Sequence, residues 1–147
     1  MSTCNSIISY TRVSADIFHY GHFLLFKKAS ECSNLHICGL YSDDICKRWN
    51  GTLIMGFNER KSIIKNLKIV DDVLEQNNID PTSNLKLIHS KYPNSKIILF
   101  QGHQKWVGLP GTEFINSIGG EIKKIDYYSN LSRNAIRQEV CNTKYYN

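Results

Sequence analysis

Ile7-Ile8-Ser9-Tyr10-Thr11-Arg12-Val13-Ser14-Ala15-Asp16-Ile17-Phe18-His19-Tyr20-Gly21-His22 is the stretch that decides the fold. Its first seven residues are β-branched, aromatic and apolar, which predicts a strand over 7–13. Gly21 then opens an apolar-periodic segment, and Phe23, Leu24, Phe26 and Ala29 predict an amphipathic helix over about 22–30. A strand that turns straight into a helix is half of a βαβ unit.

The alternation continues along the chain. Leu35–Leu40 reads as a short buried strand. Ser42-Asp43-Asp44 starts a helical turn, with an N-cap residue and acids where the dipole favours them, and Asn50-Gly51 ends it. Asn58 is placed to cap a second helix that reaches about Leu67. Strands are expected at Val70–Leu74, Lys96–Phe100 and Glu121–Ile125. Helices are expected around Ser83–Ser90, over Thr112–Ile118 with Gly119-Gly120 behind it, and over Ser132–Val140 with Ser132 as cap. Strands alternating with helices predict an α/β domain: one parallel sheet of about five strands with helices on both faces. Ligands in such sheets bind outside the carboxyl ends of the strands, so the tips after Val13, Leu40, Phe100 and Ile125 are the places to watch.

Composition agrees with a single domain spanning 1–147, with its core over about 7–140 and a loosely held tail over 141–147. The chain has 147 residues, 41% of them apolar, and a net charge of +5. The basic residues are spread along the chain, so a nucleic-acid partner is not expected. No apolar run is long enough to insert into a membrane, and Met1–Ser6 lacks the features of a secretory signal. A cytoplasmic protein is expected. Five cysteines without a C-x-x-C pair read as reduced thiols rather than a disulfide or zinc scaffold.

His19-Tyr20-Gly21-His22 is the chemical centre of the sequence. A glycine at a helix start lets backbone approach an anion, and the free N–H groups there favour phosphate. Two imidazoles three residues apart can stabilise charge that grows on a phosphate during displacement.

This H-x-G-H after the first strand resembles the cytidylyltransferase family of nucleotidyltransferases. Tyr41-Ser42-Asp43-Asp44 resembles the family's S-D-E segment, and Met55-Gly56-Phe57-Asn58-Glu59-Arg60 its M-x-x-x-E-R. Lys68-Ile69-Val70-Asp71-Asp72-Val73 resembles R-Y-V-D-E-V, and Leu131-Ser132-Arg133-Asn134-Ala135-Ile136 resembles I-S-T-S-x-I. The resemblance covers nearly the whole chain and implies a Rossmann-like fold. It also implies a function: a CTP:phospho-alcohol cytidylyltransferase that makes a CDP-alcohol and releases pyrophosphate, with Mg2+ held mainly by the triphosphate and no metal-ligating residues of its own. An adenylyltransferase of the same fold, for example on a flavin mononucleotide, and a non-catalytic nucleotide-binding homologue are the alternatives. A homodimer is implied as well, and the length suggests a complete nucleotidyltransferase without a regulatory or membrane-binding extension.

By the same resemblance His19 and His22 are catalytic. Val13, Ser14, Ala15, Asp16, Gly21, Gly102 and Ser132 bind the nucleotide, and Arg60 and Arg48 bind the acceptor or its phosphate; Arg133, which with Asn134 replaces the threonine and second hydroxyl of the I-S-T-S signature, is expected in addition as a phosphate partner at the nucleotide. The family's G-x-F-D is Val13-Ser14-Ala15-Asp16 here, so its glycine is lost. The family's catalytic lysine falls on Asn50, which makes Lys47, with Arg48 beside it, the nearest substitute. Its acidic pair after the fourth strand is replaced by Gly102-His103-Gln104, and its R-T-E-G by Tyr127-Tyr128-Ser129-Asn130. Without that acidic pair a polyol or other anionic or neutral phosphorylated acceptor suits the net charge better than a cationic one. Trp49, Trp106, Tyr127 and Tyr128 are the aromatics that a cationic headgroup would need.

Overall fold

A computed structural model describes residues 6–102, 110–126 and 130–143. Five parallel strands form one sheet: β1 (Ile7–Val13), β2 (Leu35–Tyr41), β3 (Asp72–Gln76), β4 (Lys96–Gly102) and β5 (Glu121–Ile125). Their order across the sheet is β3-β2-β1-β4-β5. The chain therefore winds one way from β1 to β3 and the other way through β4 to β5. The reversal lies between β1 and β4, and such a switch point is where an open α/β sheet opens a crevice. The helices are α1 (Tyr20–Glu31), α2 (Asp43–Asn50), α3 (Phe57–Lys65), α4 (Thr82–Lys91), α5 (Thr112–Ser117) and α6 (Arg133–Asn142).

The central strands are buried on both faces, as a parallel sheet requires. On one face Ile8, Tyr10, Ile37, Ile97 and Leu99 pack against Leu85 and Ile88 of α4 and Ile115 of α5. On the other, Val13, Cys38, Leu40 and Val73 meet Phe26 of α1 and Ile64 of α3, and Ile98 and Phe100 meet Ala29.

Tyr10 reaches across the first face only because Gly39 lies beside it: a Cβ on Gly39 would stand 2.1 Å from the Tyr10 hydroxyl. That hydroxyl donates to Gln76 Oε1 and accepts from Asn84 Nδ2 at 2.9 Å. Gln76 Nε2 in turn donates to the carbonyls of Asn78 and Asp80. The buried network thus fixes the loop that follows β3, at the carboxyl end of the sheet.

Several boundaries differ from expectation for local reasons. Helix α1 starts at Tyr20, two residues early, because His19 caps it. Helix α3 starts at Phe57, because Glu59 Oε2 accepts from the Gly56 N–H at 3.1 Å and closes the turn ahead of Asn58. Strand β3 begins at Asp72, two residues late: the Val70 N–H still closes a turn onto the Leu67 carbonyl, and the first bond to β2 is from the Asp71 N–H to the His36 carbonyl. Helix α6 runs on through Cys141 and Asn142, which were expected in the loose tail. Residues 144–147 lie outside the described residues.

Candidate functional site

A cleft of about 720 Å³ opens over the carboxyl ends of β1 and β4, the switch point. It gathers His19, Gly21 and His22 at the start of α1, the β1–α1 turn Val13-Ser14-Ala15-Asp16, Gly102 at the end of β4, and Ser132 and Arg133 at the start of α6. These are ten of the thirteen expected site residues.

The two histidines cap α1 reciprocally. The Gly21 N–H donates to His19 Nδ1 at 3.0 Å, and the His19 N–H donates to His22 Nδ1 at 3.2 Å. The rings lie 4.0 Å apart, centroid to centroid. Each Nδ1 is an acceptor, so each neutral ring carries its proton on Nε2, on the edge away from the backbone. Burial lowers the pKa of both; that of His22, further depressed by His19, falls to about 4. At neutral pH the site therefore offers two uncharged imidazoles with Nε2–H donors at a helix N-terminus.

The turn beneath them is strained and pinned. Ala15 has a φ of 52°, a left-handed conformation that costs a non-glycine residue about 1 kcal/mol. Asp16 holds it: its carboxylate accepts from the N–H groups of Ile54 and Met55 at 3.0 and 2.8 Å and pairs with Arg133 Nη2 at 2.8 Å. Burial raises the Asp16 pKa, but the Met55 N–H, Arg133 and the Ile54 N–H outweigh it and hold the carboxyl below its usual range. Arg133 also donates to the Thr52 carbonyl at 3.0 Å. Asp16 and Arg133 thus engage each other and tie α6 to the β1–α1 turn. Ser132 Oγ accepts from the Ala135 N–H at 3.0 Å, which leaves its hydroxyl hydrogen to donate.

Three of the expected site residues lie away from the cleft. Arg60 was expected at the acceptor's phosphate, but it is fully buried. Its Nη1 donates to the Ser14 and Tyr41 carbonyls, its Nε to the Met55 carbonyl, and its Nη2 to Asp43 at 2.7 Å. It braces the strand tips from below. Lys47 and Arg48 do not line the cleft and are exposed. Ile45 and Cys46 face the core, and four residues on they are followed by Trp49 and Asn50, which do line the cleft; Lys47 and Arg48 turn outward. Lys47→Ala is expected to leave turnover within about twofold, read as pyrophosphate release. A large loss would return Lys47 to the mechanism.

Trp49 packs edge-on against Tyr41, with centroids 4.7 Å apart. Trp106, Tyr127, Tyr128, His103 and Gln104 lie outside the described residues. Arg12, Gln101, Lys27 and Lys28 line the cleft without having been expected there. A polar residue at a strand's last positions is the signal that points to Arg12 and Gln101. Nothing in the helical pattern distinguishes the two lysines.

A family model described as Cytidylyltransferase-like matches residues 13–135. Bifunctional protein HldE of Geobacter sulfurreducens is 26% identical over 135 residues, covering 90% of this chain and 26% of that protein. The chain spans about a quarter of the length of the curated relatives it matches. The lipopolysaccharide core biosynthesis protein from Thermoplasma volcanium GSS1 superposes with a TM-score of 0.61 at 22% identity, over 84% of this chain and 97% of that one. A bifunctional NMN adenylyltransferase/ADP ribose pyrophosphatase from Francisella tularensis superposes at 0.63 with 18% identity, over 95% of this chain and 42% of that one. The Rossmann-like nucleotidyltransferase fold read from the sequence is the fold observed.

Proposed function

This chain belongs to the cytidylyltransferase-like family, and from that premise we propose that it transfers a nucleoside monophosphate from a nucleoside triphosphate to a phosphorylated small molecule. The observation that carries this reading is the reciprocal histidine cap. It puts two neutral Nε2–H donors and a helix N-terminus at one point of the switch-point cleft. A triphosphate laid there has its β- and γ-oxygens within reach of His19, His22 and the Ser132 hydroxyl. An oxygen of the acceptor's phosphate attacks the α-phosphorus. As that bond forms, the bond to the bridging α–β oxygen breaks in line, and pyrophosphate carries away the electron pair. The protein contributes position and hydrogen bonds to the growing charge.

Mg2+ supplies charge neutralisation on the phosphates. Among the described residues no group of three or more His, Cys, Asp and Glu could hold a metal, and Asp16 is engaged by Ile54, Met55 and Arg133. Mg2+ carried by the triphosphate is part of this proposal and rests on the family resemblance.

ATP is the donor in this reading, supported by the name of the Francisella adenylyltransferase that shares the fold. CTP, implied by the motifs and by the description of the family model, is the second reading. A homodimer is proposed on the resemblance alone. No described helix is long and apolar enough to cross a membrane.

The test is pyrophosphate release with each of the four ribonucleoside triphosphates, Mg2+, and a panel of sugar and polyol phosphates beside their unphosphorylated alcohols. Release with ATP and a phosphorylated acceptor is expected. Release with CTP alone selects the second reading, and release with none removes the transfer activity.

A further inference from the structure

Arg12 is the penultimate residue of β1 and shares a sheet face with Tyr10, the face covered by α4 and α5. It therefore enters the cleft from the side of the sheet opposite His19, His22 and the start of α1. Its guanidinium is held in place by uncharged acceptors. Nη1 donates to the Ile79 carbonyl and Nη2 to Gln101 Oε1, each at 2.7 Å. Both acceptors are themselves fixed. Gln101 donates to the Pro110 carbonyl at 3.3 Å, and Gln76 grips the carbonyls on either side of Ile79.

Two features of this arrangement point to a missing anion. Arg12 Nε is buried and has no hydrogen-bond partner. Among the described residues no carboxylate lies within ion-pair distance of the guanidinium. Arg133 and Arg60, by contrast, each have one. A half-buried cation that is oriented but not neutralised is costly unless a ligand brings the counter-charge. A planar fork with unused N–H groups suits the tetrahedral oxygens of a phosphate.

We propose that Arg12 seats the phosphate of the acceptor. The inference rests on the nucleotidyl-transfer reading and deepens it. In-line displacement needs the incoming oxygen and the departing pyrophosphate on opposite sides of the α-phosphorus. The cleft has its donors for the triphosphate on the α1 side of the rim and, on the other, a guanidinium held by uncharged acceptors alone. The acceptor class that follows is a phosphomonoester, bound through its dianion, with Gln101 as the positioning residue behind Arg12.

The test uses the full chain. Arg12→Gln is expected to raise KM for a phosphorylated acceptor by about 10- to 100-fold, the loss of a charge-assisted hydrogen-bond pair, with KM for the triphosphate within about twofold. Arg12→Lys is expected to recover part of the loss. A second measurement does not depend on turnover. In protein labelled with 15N-arginine, the Nε–H resonance of Arg12, identified by its disappearance in Arg12→Lys, is followed during titration. Glycerol 3-phosphate and glucose 1-phosphate are expected to move it, glycerol and glucose to leave it in place, and ATP alone to leave it in place. Movement on ATP alone assigns Arg12 to the triphosphate and overturns the proposal. No movement with either phosphomonoester also overturns it. Movement with a phosphomonoester, in a protein that releases no pyrophosphate with any triphosphate, upholds the seat and removes the transfer reading. Turnover that Arg12→Gln does not alter removes the seat and leaves the transfer reading standing.

Discussion

His22→Ala is expected to lower turnover by about 10²- to 10⁴-fold, because it deletes a positioned donor to the charge that grows on the departing phosphates. The fold should survive. His22 is not among the fully buried side chains, and its structural task is to accept the His19 N–H, a capping contact of about 1 kcal/mol. His22→Gln places an amide N–H near the Nε2 position and is expected to keep more activity than alanine. The imidazole also gives the variant a signature in pH. In the folded protein His22 protonates near pH 4, against an ordinary value of 6.5. Above 6.5 neither the folded nor the unfolded chain binds this proton, and the group adds no pH dependence. Between 6.5 and about 4 the unfolded chain takes up a proton that the folded one refuses, so stability falls as pH falls; below about 4 the effect levels off. The loss is on the order of 2 kcal/mol once partial exposure is allowed for. Denaturant unfolding at pH 7 and pH 4.5 should show His22→Ala losing less stability on acidification than the parent protein. An unchanged rate in His22→Ala would remove the site assignment.

Arg60→Ala is expected to cost about 3–5 kcal/mol of stability, the largest single effect in the molecule. The guanidinium is fully buried, and four of its N–H groups satisfy three carbonyls and the Asp43 carboxylate. Removing it takes away the N–H donors of the Ser14 and Met55 carbonyls, leaves the Tyr41 carbonyl the weak Cys46 thiol in place of a guanidinium N–H, and leaves Asp43 without its counter-charge. The damage falls on three segments that converge at the cleft: the β1–α1 turn, the β2–α2 junction and the loop before α3. Thermal unfolding should move down by 10 °C or more. Arg60→Lys, with one nitrogen in place of a fork, should recover only a fraction. A stable Arg60→Ala protein whose only defect is a raised acceptor KM would restore the phosphate-binding role implied by the family motif.

Those two residues show what was legible in the sequence. The alternation of β-branched runs with helical patterns was enough for five parallel strands, because each signal is local and periodic. The position of H-x-G-H at the first strand-to-helix turn was likewise local, and it placed the cleft. Arg60 was found through its motif, but its role was not: burial of a charged side chain depends on which carbonyls the tertiary fold brings around it. The placement of Lys47 and Arg48 was not legible for a related reason. Their nearness to Asn50 in sequence turned them to the wrong side of α2, since each helical residue rotates 100° and the face was set by Ile45 and Cys46. Arg133 stands where the family signature has a threonine, and the structure joins it to Asp16, a residue 117 positions away. In the sequence Arg12 is one more residue of a strand, and only the sheet topology places its side chain beside Gln101 at the cleft.

The most direct test of the central claim is the side-chain 15N spectrum of the histidines at pH 7, recorded with and without a nucleoside triphosphate and Mg2+. The geometry predicts that His19 and His22 are both neutral, with the proton on Nε2, and that their Nε2–H signals move when ATP or CTP is added. His36, whose ring is enclosed by Thr11 and the Ile69 carbonyl, serves as the internal reference and should stay in place. Imidazolium signals for His19 and His22 at pH 7, or Nε2–H signals that no triphosphate moves, would contradict the account.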